Sequence, residues 1–315
     1  MASSKNPRVH LPPFEVKHVV KALSQSTGWQ ISKLKVDELW KKTRGRGVKV
    51  AIVDTGIDAA HPDLEANVRG GVDLVNKHVL APIDANGHGT HCAGIVAASD
   101  NSTGMVGVAP EAELYSVRVL DENGSGDVST IVAGLEWCLK HKMDVVSMSL
   151  GMYRGSRKLH DVCKKLNSAG ITLVAAAGND GTSMAEVDFP GRYPETLCVG
   201  SIRRDFKRSD FSSVGPNLDI LAPGDEIYST FPRSMGMYAI LSGTSMATPF
   251  VAGLVALMKS AGTKRGSVQD IREGLQRQAM NRGKTRDRLI GYGVVCPKLM
   301  FESESGGVLH ASRKK

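Results

Sequence analysis

Three separate stretches hold residue types that do chemistry only when they meet. Asp54 closes the run VAIVD and is followed by Thr55 and Gly56, His88 stands between two glycines in NGHGTHCAG, and Ser245 lies in LSGTSMATPFVAGLVALM, ahead of an apolar run. A serine hydroxyl is a weak nucleophile at neutral pH; it needs a base to take its proton and a third group to orient that base. An imidazole and a carboxylate supply those two functions. Singly, each residue has a simpler explanation: Ser245 as a helix cap, His88 as a polar residue at a helix start, Asp54 as a turn residue at a strand end. Pro249 fits the capping reading, because a first helical turn tolerates proline, whose missing N–H leaves no bond unmade there.

The elements that must position these residues can be read from Val48 onward. Short β-branched runs (VKVAIVD, LYSVRVL, DVVSMSL, ITLVAAAG, TLCVGSI) alternate with longer amphipathic ones near 88–98, 128–141 and 157–168, and a further helix is expected over 267–280. Strands alternating with helices of this length imply βαβ units, hence an α/β fold with a mainly parallel β-sheet and helices on both faces. Sites on such sheets lie beyond the carboxyl ends of the strands. Asp54, Ser149 and Asn179 all fall at such ends, which places them around one cleft.

Composition narrows the class. With 315 residues, 41% hydrophobic and 23% charged, the chain has the make-up of a soluble globular protein. Its longest apolar runs, such as VAGLVALM, fall short of the roughly 18 residues that a membrane span needs. The opening MASSKNPRVHLPPFEVK has no continuous apolar segment and does not read as a secretory signal, so a cytoplasmic protein is expected. Five scattered cysteines without a CxxC pair read as reduced, mostly buried thiols. The net charge of +8 is dispersed along the chain, which argues for a solvated surface and against a nucleic-acid partner. Neither GxGxxG nor a P-loop follows the first strand, so a nucleotide-binding reading has no support.

The order Asp54, His88, Ser245, with the segments DTGIDAAHPDL, NGHGTHCAGIVAA, SMSLG, AAAGND and GTSMATPFVAG, resembles the subtilisin-like serine proteases, most closely the bacterial intracellular subtilisins. The likeness runs from about Trp29 to Val295. It implies a three-layer sandwich and a serine endopeptidase in which Ser245 attacks the scissile carbonyl, His88 moves the proton, Asp54 orients the imidazole and Asn179 donates to the oxyanion. Alone, Asn179 would be a turn residue after Gly178. A non-catalytic binding protein on the same fold is the contrasting reading. Cys92, one helical turn after His88, is expected to pack beneath the histidine.

The same resemblance makes Gly124, Ser125 and Gly126, and Ser149, Leu150 and Gly151, two extended edges that pair with substrate backbone. Ala176, Ala177 and Gly178 would form one wall of the primary pocket. Asp188 falls at its floor, where a carboxylate would favour Lys or Arg before the cut; the alternative is that Asp188 faces solvent or pairs with Arg192. Asp180 would add charge at the rim. A structural calcium is implied at Asp63, Ser99, Asn101, Thr103 and Met105, whose oxygens suit a hard cation. Three regions are expected: an inhibitory N-terminal extension over 1–25, a catalytic domain over 26–300 and a flexible basic tail over 301–315. Within the extension, Leu11, Pro12, Pro13 and Phe14 resemble the blocking motif of intracellular subtilisins, and Lys17 or Lys21 would be the maturation site. The implied partners are protein or peptide substrates and a second copy in a homodimer.

Overall fold

The computed structural model describes residues 8–13, 15–20, 25–76, 83–262, 268–277, 279–280 and 285–297, with 15–20 and 268 known by their backbone alone. Phe14, Lys21 and the tail over 301–315 lie outside the described residues. The chain opens with β1 (Arg8–His10), β2 (Glu15–Val20) and two short helices, α1 (Trp29–Leu34) and α2 (Val36–Leu39). The alternating part comprises β3 (Lys49–Asp54), β4 (Val68–Asp73), α3 (His88–Ala97), β5 (Glu113–Arg118), β6 (Ser125–Asp127), α4 (Val128–Lys140), β7 (Val145–Met148), α5 (Arg157–Ser168), β8 (Thr172–Ala176) and β9 (Thr196–Ile202). It continues through β10 (Ile220–Pro223), β11 (Ile227–Thr230), β12 (Tyr238–Ser242), α6 (Thr244–Ser260) and α7 (Val268–Arg277).

Seven strands form one sheet in the order β10-β9-β8-β7-β3-β5-β4, and each neighbouring pair is parallel. Successive residues of a strand point to opposite faces, and here both faces are covered. Val50 and Ile52 join the core that holds α3 and α6, whereas Ala51 and Val53 join the core that holds α4 and α5. Two-sided burial is why these strands read as continuous apolar runs rather than alternating ones. The α/β expectation therefore holds, with three layers.

An edge strand and a whole second sheet escaped the sequence reading, each for a physical reason. The edge strand β4, VRGGVD, carries two charged residues and two glycines and leaves Arg69 and Gly70 exposed, so it has no apolar run. The second sheet, β11-β12-β2, is an antiparallel layer outside the βαβ pattern. Pro249 also needs correction. Because α6 begins at Thr244, the proline sits in the second turn, where its N–H would have bonded the Ser245 carbonyl. That carbonyl instead accepts the Ser149 hydroxyl at 2.8 Å. All five cysteines are unbridged, and four are buried. No helix among the described residues is long and apolar enough to cross a membrane.

Candidate active site

Three strand ends and two helix starts converge. β3 ends at Asp54, α3 starts at His88, and His88 Nδ1 lies 2.8 Å from Asp54 Oδ1, with both side chains buried. The Thr55 N–H donates to the same carboxylate oxygen at 2.8 Å and fixes it further. The close approach of α3 to this strand end needs Gly89, because a Cβ there would stand 2.2 Å from the Gly56 carbonyl oxygen. Burial disfavours a charged His88 imidazole, but the Asp54 carboxylate and the Cys92 sulfur outweigh it and raise the histidine well above its ordinary value. Cys92 does lie beneath it: its sulfur is 3.9 Å from His88 Nδ1 and 3.5 Å from the Ser245 carbonyl oxygen, so one side chain joins α3 to α6.

Ser245 is buried in the first turn of α6, and its hydroxyl donates to the Ser149 carbonyl at 3.3 Å. It does not cap the helix. The cap comes from Asn179, just past β8, whose Oδ1 accepts the Thr244 N–H at 3.0 Å and the Thr244 hydroxyl at 2.9 Å. With Oδ1 occupied by two donors, the amide must turn its Nδ2 the other way, and that Nδ2 donates to the Pro13 carbonyl at 2.6 Å.

The Pro13 carbonyl belongs to a segment that lies along the cleft. β1 pairs antiparallel with β6, matching Val9 to Gly126 and His10 to Ser125, and the Leu11 N–H donates to the Gly124 carbonyl at 3.0 Å. On the other side, Gly151 exchanges both backbone bonds with His10, at 3.1 and 3.4 Å. Residues 8–11 are thus the middle strand between the two edges, Gly124–Gly126 and Ser149–Gly151. Continuing the antiparallel register from His10 opposite Gly151 puts residue 12 opposite Ser149. Pro12 has no N–H to give the Ser149 carbonyl, which takes the Ser245 hydroxyl instead, and the carbonyl at Asn179 is that of the following residue. The carbonyl that meets Asn179 thus belongs to Pro13, one residue beyond the one that the register sets opposite Ser149.

Below this segment lies a small cleft whose lining includes Pro12, Pro13, Gly151, Asn179, Asp180 and Asp188. Ala176 and Ala177 are buried behind it, and the Asp188 N–H donates to the Ala177 carbonyl at 2.9 Å. Asp188 Oδ2 occupies space beside two glycines: a Cβ on Gly151 would stand 2.5 Å from it and one on Gly178 2.7 Å. Arg192 pairs with Glu186 at 3.2 Å and lays its guanidinium over Phe189, so Asp188 has no direct ion pair with it. Burial, with Asp180 nearby, pushes the Asp188 carboxyl up to about 7, against the opposing pull of Arg192.

The loop over 99–105 folds against Asp63. Asp63 Oδ1 accepts the Asn101 amide at 3.0 Å, its Oδ2 accepts the Met105 N–H at 2.9 Å and the Tyr238 hydroxyl at 3.1 Å, and the Ser99 N–H donates to its carbonyl at 2.7 Å. Thr103 donates to Asn101 Oδ1 from both its N–H and its hydroxyl, at 3.0 Å each. Gln25, which no motif marked, reaches the Ser99 carbonyl at 3.4 Å. One carboxylate, two amides and several carbonyls carry oxygens of the kind a hard cation takes, with the amide N–H groups of Asn101 and Gln25 here turned to Asp63 and Ser99.

A parallel α/β sheet thus gathers an aspartate, a histidine and a serine at its strand ends, with a main-chain segment held along the cleft. The chain belongs to the subtilase family, whose profile matches residues 45–293. It is 47% identical over 249 residues to subtilisin NAT of Bacillus subtilis subsp. natto, covering 78% of this chain and 64% of that protein. The identity to the subtilisin of Bacillus pumilus is 47% over 240 residues, covering 75% of this chain and 86% of the relative. An intracellular serine protease of Paenibacillus polymyxa is 42% identical over 258 residues, covering 80% and 78% of the two chains. The chain thus spans just under two thirds of the length of subtilisin NAT.

Proposed function

We propose that the protein is a serine endopeptidase acting on protein or peptide substrates. Ser245 Oγ attacks the carbonyl of the acyl residue while His88 Nε2 takes its proton, and Asp54 holds Nδ1 and stabilises the cation that forms. His88 then returns the proton to the leaving amine. An acyl-enzyme remains on Ser245, and water cleaves it by the same proton path. Asn179 Nδ2 and the Ser245 N–H donate to the oxyanion. The observation that carries this reading is the 2.6 Å bond from Asn179 Nδ2 to a main-chain carbonyl lying in the cleft.

Hydrolysis of a lysyl peptide amide tests it: Ser245→Ala should show no turnover above background. Asn179→Leu should lose roughly a hundred- to a thousandfold, a figure taken from subtilisin's own oxyanion asparagine. A measurable turnover by the parent that Ser245→Ala retains in full would refute the reading.

Three finer readings go with it. Asp188 selects Lys or Arg as the acyl residue, supported by its place between Gly151 and Gly178. Residues 11–14 keep the enzyme latent, supported by the shifted register at Pro12 and Pro13. Asp63, Asn101 and Gln25, with the carbonyls of Ser99, Thr103 and Met105, would hold a calcium ion, which fixes the loop. The name of the Paenibacillus relative supports a cytoplasmic location.

A further inference from the structure

We propose that Tyr153 is a specificity-determining residue: it selects the substrate side chain two residues before the acyl residue and favours imidazole, guanidinium and aromatic groups there. The inference rests on the endopeptidase reading above and names a second selective position in the same cleft.

The argument starts from the alternation of β1. Val9 is fully buried, and Leu11 packs against the same core cluster, so both point inward. His10 points the other way and is exposed. Its ring meets Tyr153 edge-on, with centroids 6.4 Å apart and planes at 67°. By the register derived above, residue 12 stands where an acyl residue belongs, so His10 marks the position two residues before it.

Tyr153 itself needs a reason to be there. It is 52% exposed and belongs to neither core cluster, so the fold does not depend on burying it. Yet it is held in place, because its hydroxyl donates to Asp180 Oδ1 at 3.1 Å. The cleft that holds Asp188 is also lined by His10, Tyr153 and Asp180, so the ring stands between the primary pocket and the neighbouring position. An aromatic face fixed beside a carboxylate attracts cationic and aromatic groups and repels an acidic one.

The test uses the full chain and a series of peptides, acetyl-Val-X-Leu-Lys-aminomethylcoumarin, in which X is Ala, Glu, His, Arg or Phe. Any occupancy of the cleft by the protein's own segment divides out of the ratios of kcat/KM. His, Arg and Phe are expected about fivefold above Ala, with Glu below it. Tyr153→Ala should bring the ratios close to one, and Tyr153→Phe, which keeps the ring, should retain the order. A flat series in the parent, or a preference that survives in Tyr153→Ala, overturns the proposal. The same peptides as simple amides, titrated into Ser245→Ala, give an answer that needs no turnover. The same order of binding without hydrolysis in the parent would keep the subsite and remove the peptidase reading. Hydrolysis with a flat order would do the reverse, and neither binding nor hydrolysis, in the full chain and in a Leu11→Asp chain whose segment has lost its packing, would remove both.

Discussion

At the scale of residues, the account depends on two titrating groups, one that moves the proton and one that selects the substrate. His88 must be neutral to accept the serine proton, and its partnership with Asp54 raises its value, so the base is lost on the acid side. The expected profile of kcat/KM rises with pH on an apparent pKa above 6.5; a flat profile from pH 6 to 9 would contradict the role. Asp188 makes a separate prediction. Its carboxyl, pushed up to about 7, is neutral below that value and charged above it. The ratio of lysyl to leucyl peptide turnover should therefore climb through pH 7 and reach at least about tenfold on the alkaline side. Asp188→Ser should flatten both the ratio and its pH dependence. Stability has its own sign. A carboxyl whose folded value lies above its unfolded one favours the folded state fully only below the unfolded value, and loses that contribution as pH rises from about 4 to about 7. Asp188→Asn should accordingly raise Tm at pH 8 by more than at pH 4.

At the scale of elements, the sequence disclosed most where one periodicity governed a whole segment. The helices near 128–141 and 157–168 are found at Val128–Lys140 and Arg157–Ser168, and TLCVGSI is a strand over the same residues. Asp54, Asn179 and Ser149 stand at strand ends because parallel strands point one way, a property of topology that alternating elements reveal. What stayed hidden depends on contacts between distant segments. No local pattern shows that Asn179 caps α6, that Pro249 frees the Ser245 carbonyl, or that Gln25 meets the 99–105 loop. That loop yields a further prediction. If a calcium ion bridges Asp63, Asn101 and the neighbouring carbonyls, chelation should lower Tm by several degrees, and Asp63→Ala should remove the difference between chelated and calcium-loaded protein. Equal Tm in both conditions for the parent chain would rule out the cation there.

At the scale of the whole molecule, the proposed function makes the chain its own first ligand. Residues 8–11 fill the place of a substrate strand, with Val9 buried in the core and His10 and Leu11 bonded to both edges. On the proposed reading, Pro12 and Pro13 keep the chain from presenting a bond to Ser245. If that is why the segment persists in the cleft, restoring the missing N–H and supplying a basic acyl residue should turn an inhibitor into a substrate. The direct measurement is the intact mass of a Pro12→Lys, Pro13→Ala variant, made with and without Ser245→Ala. The account predicts loss of residues 1–12 by cleavage between positions 12 and 13, at a rate independent of protein concentration, and an intact chain when Ser245 is replaced. An intact chain in both, or the same cleavage without Ser245, would contradict it.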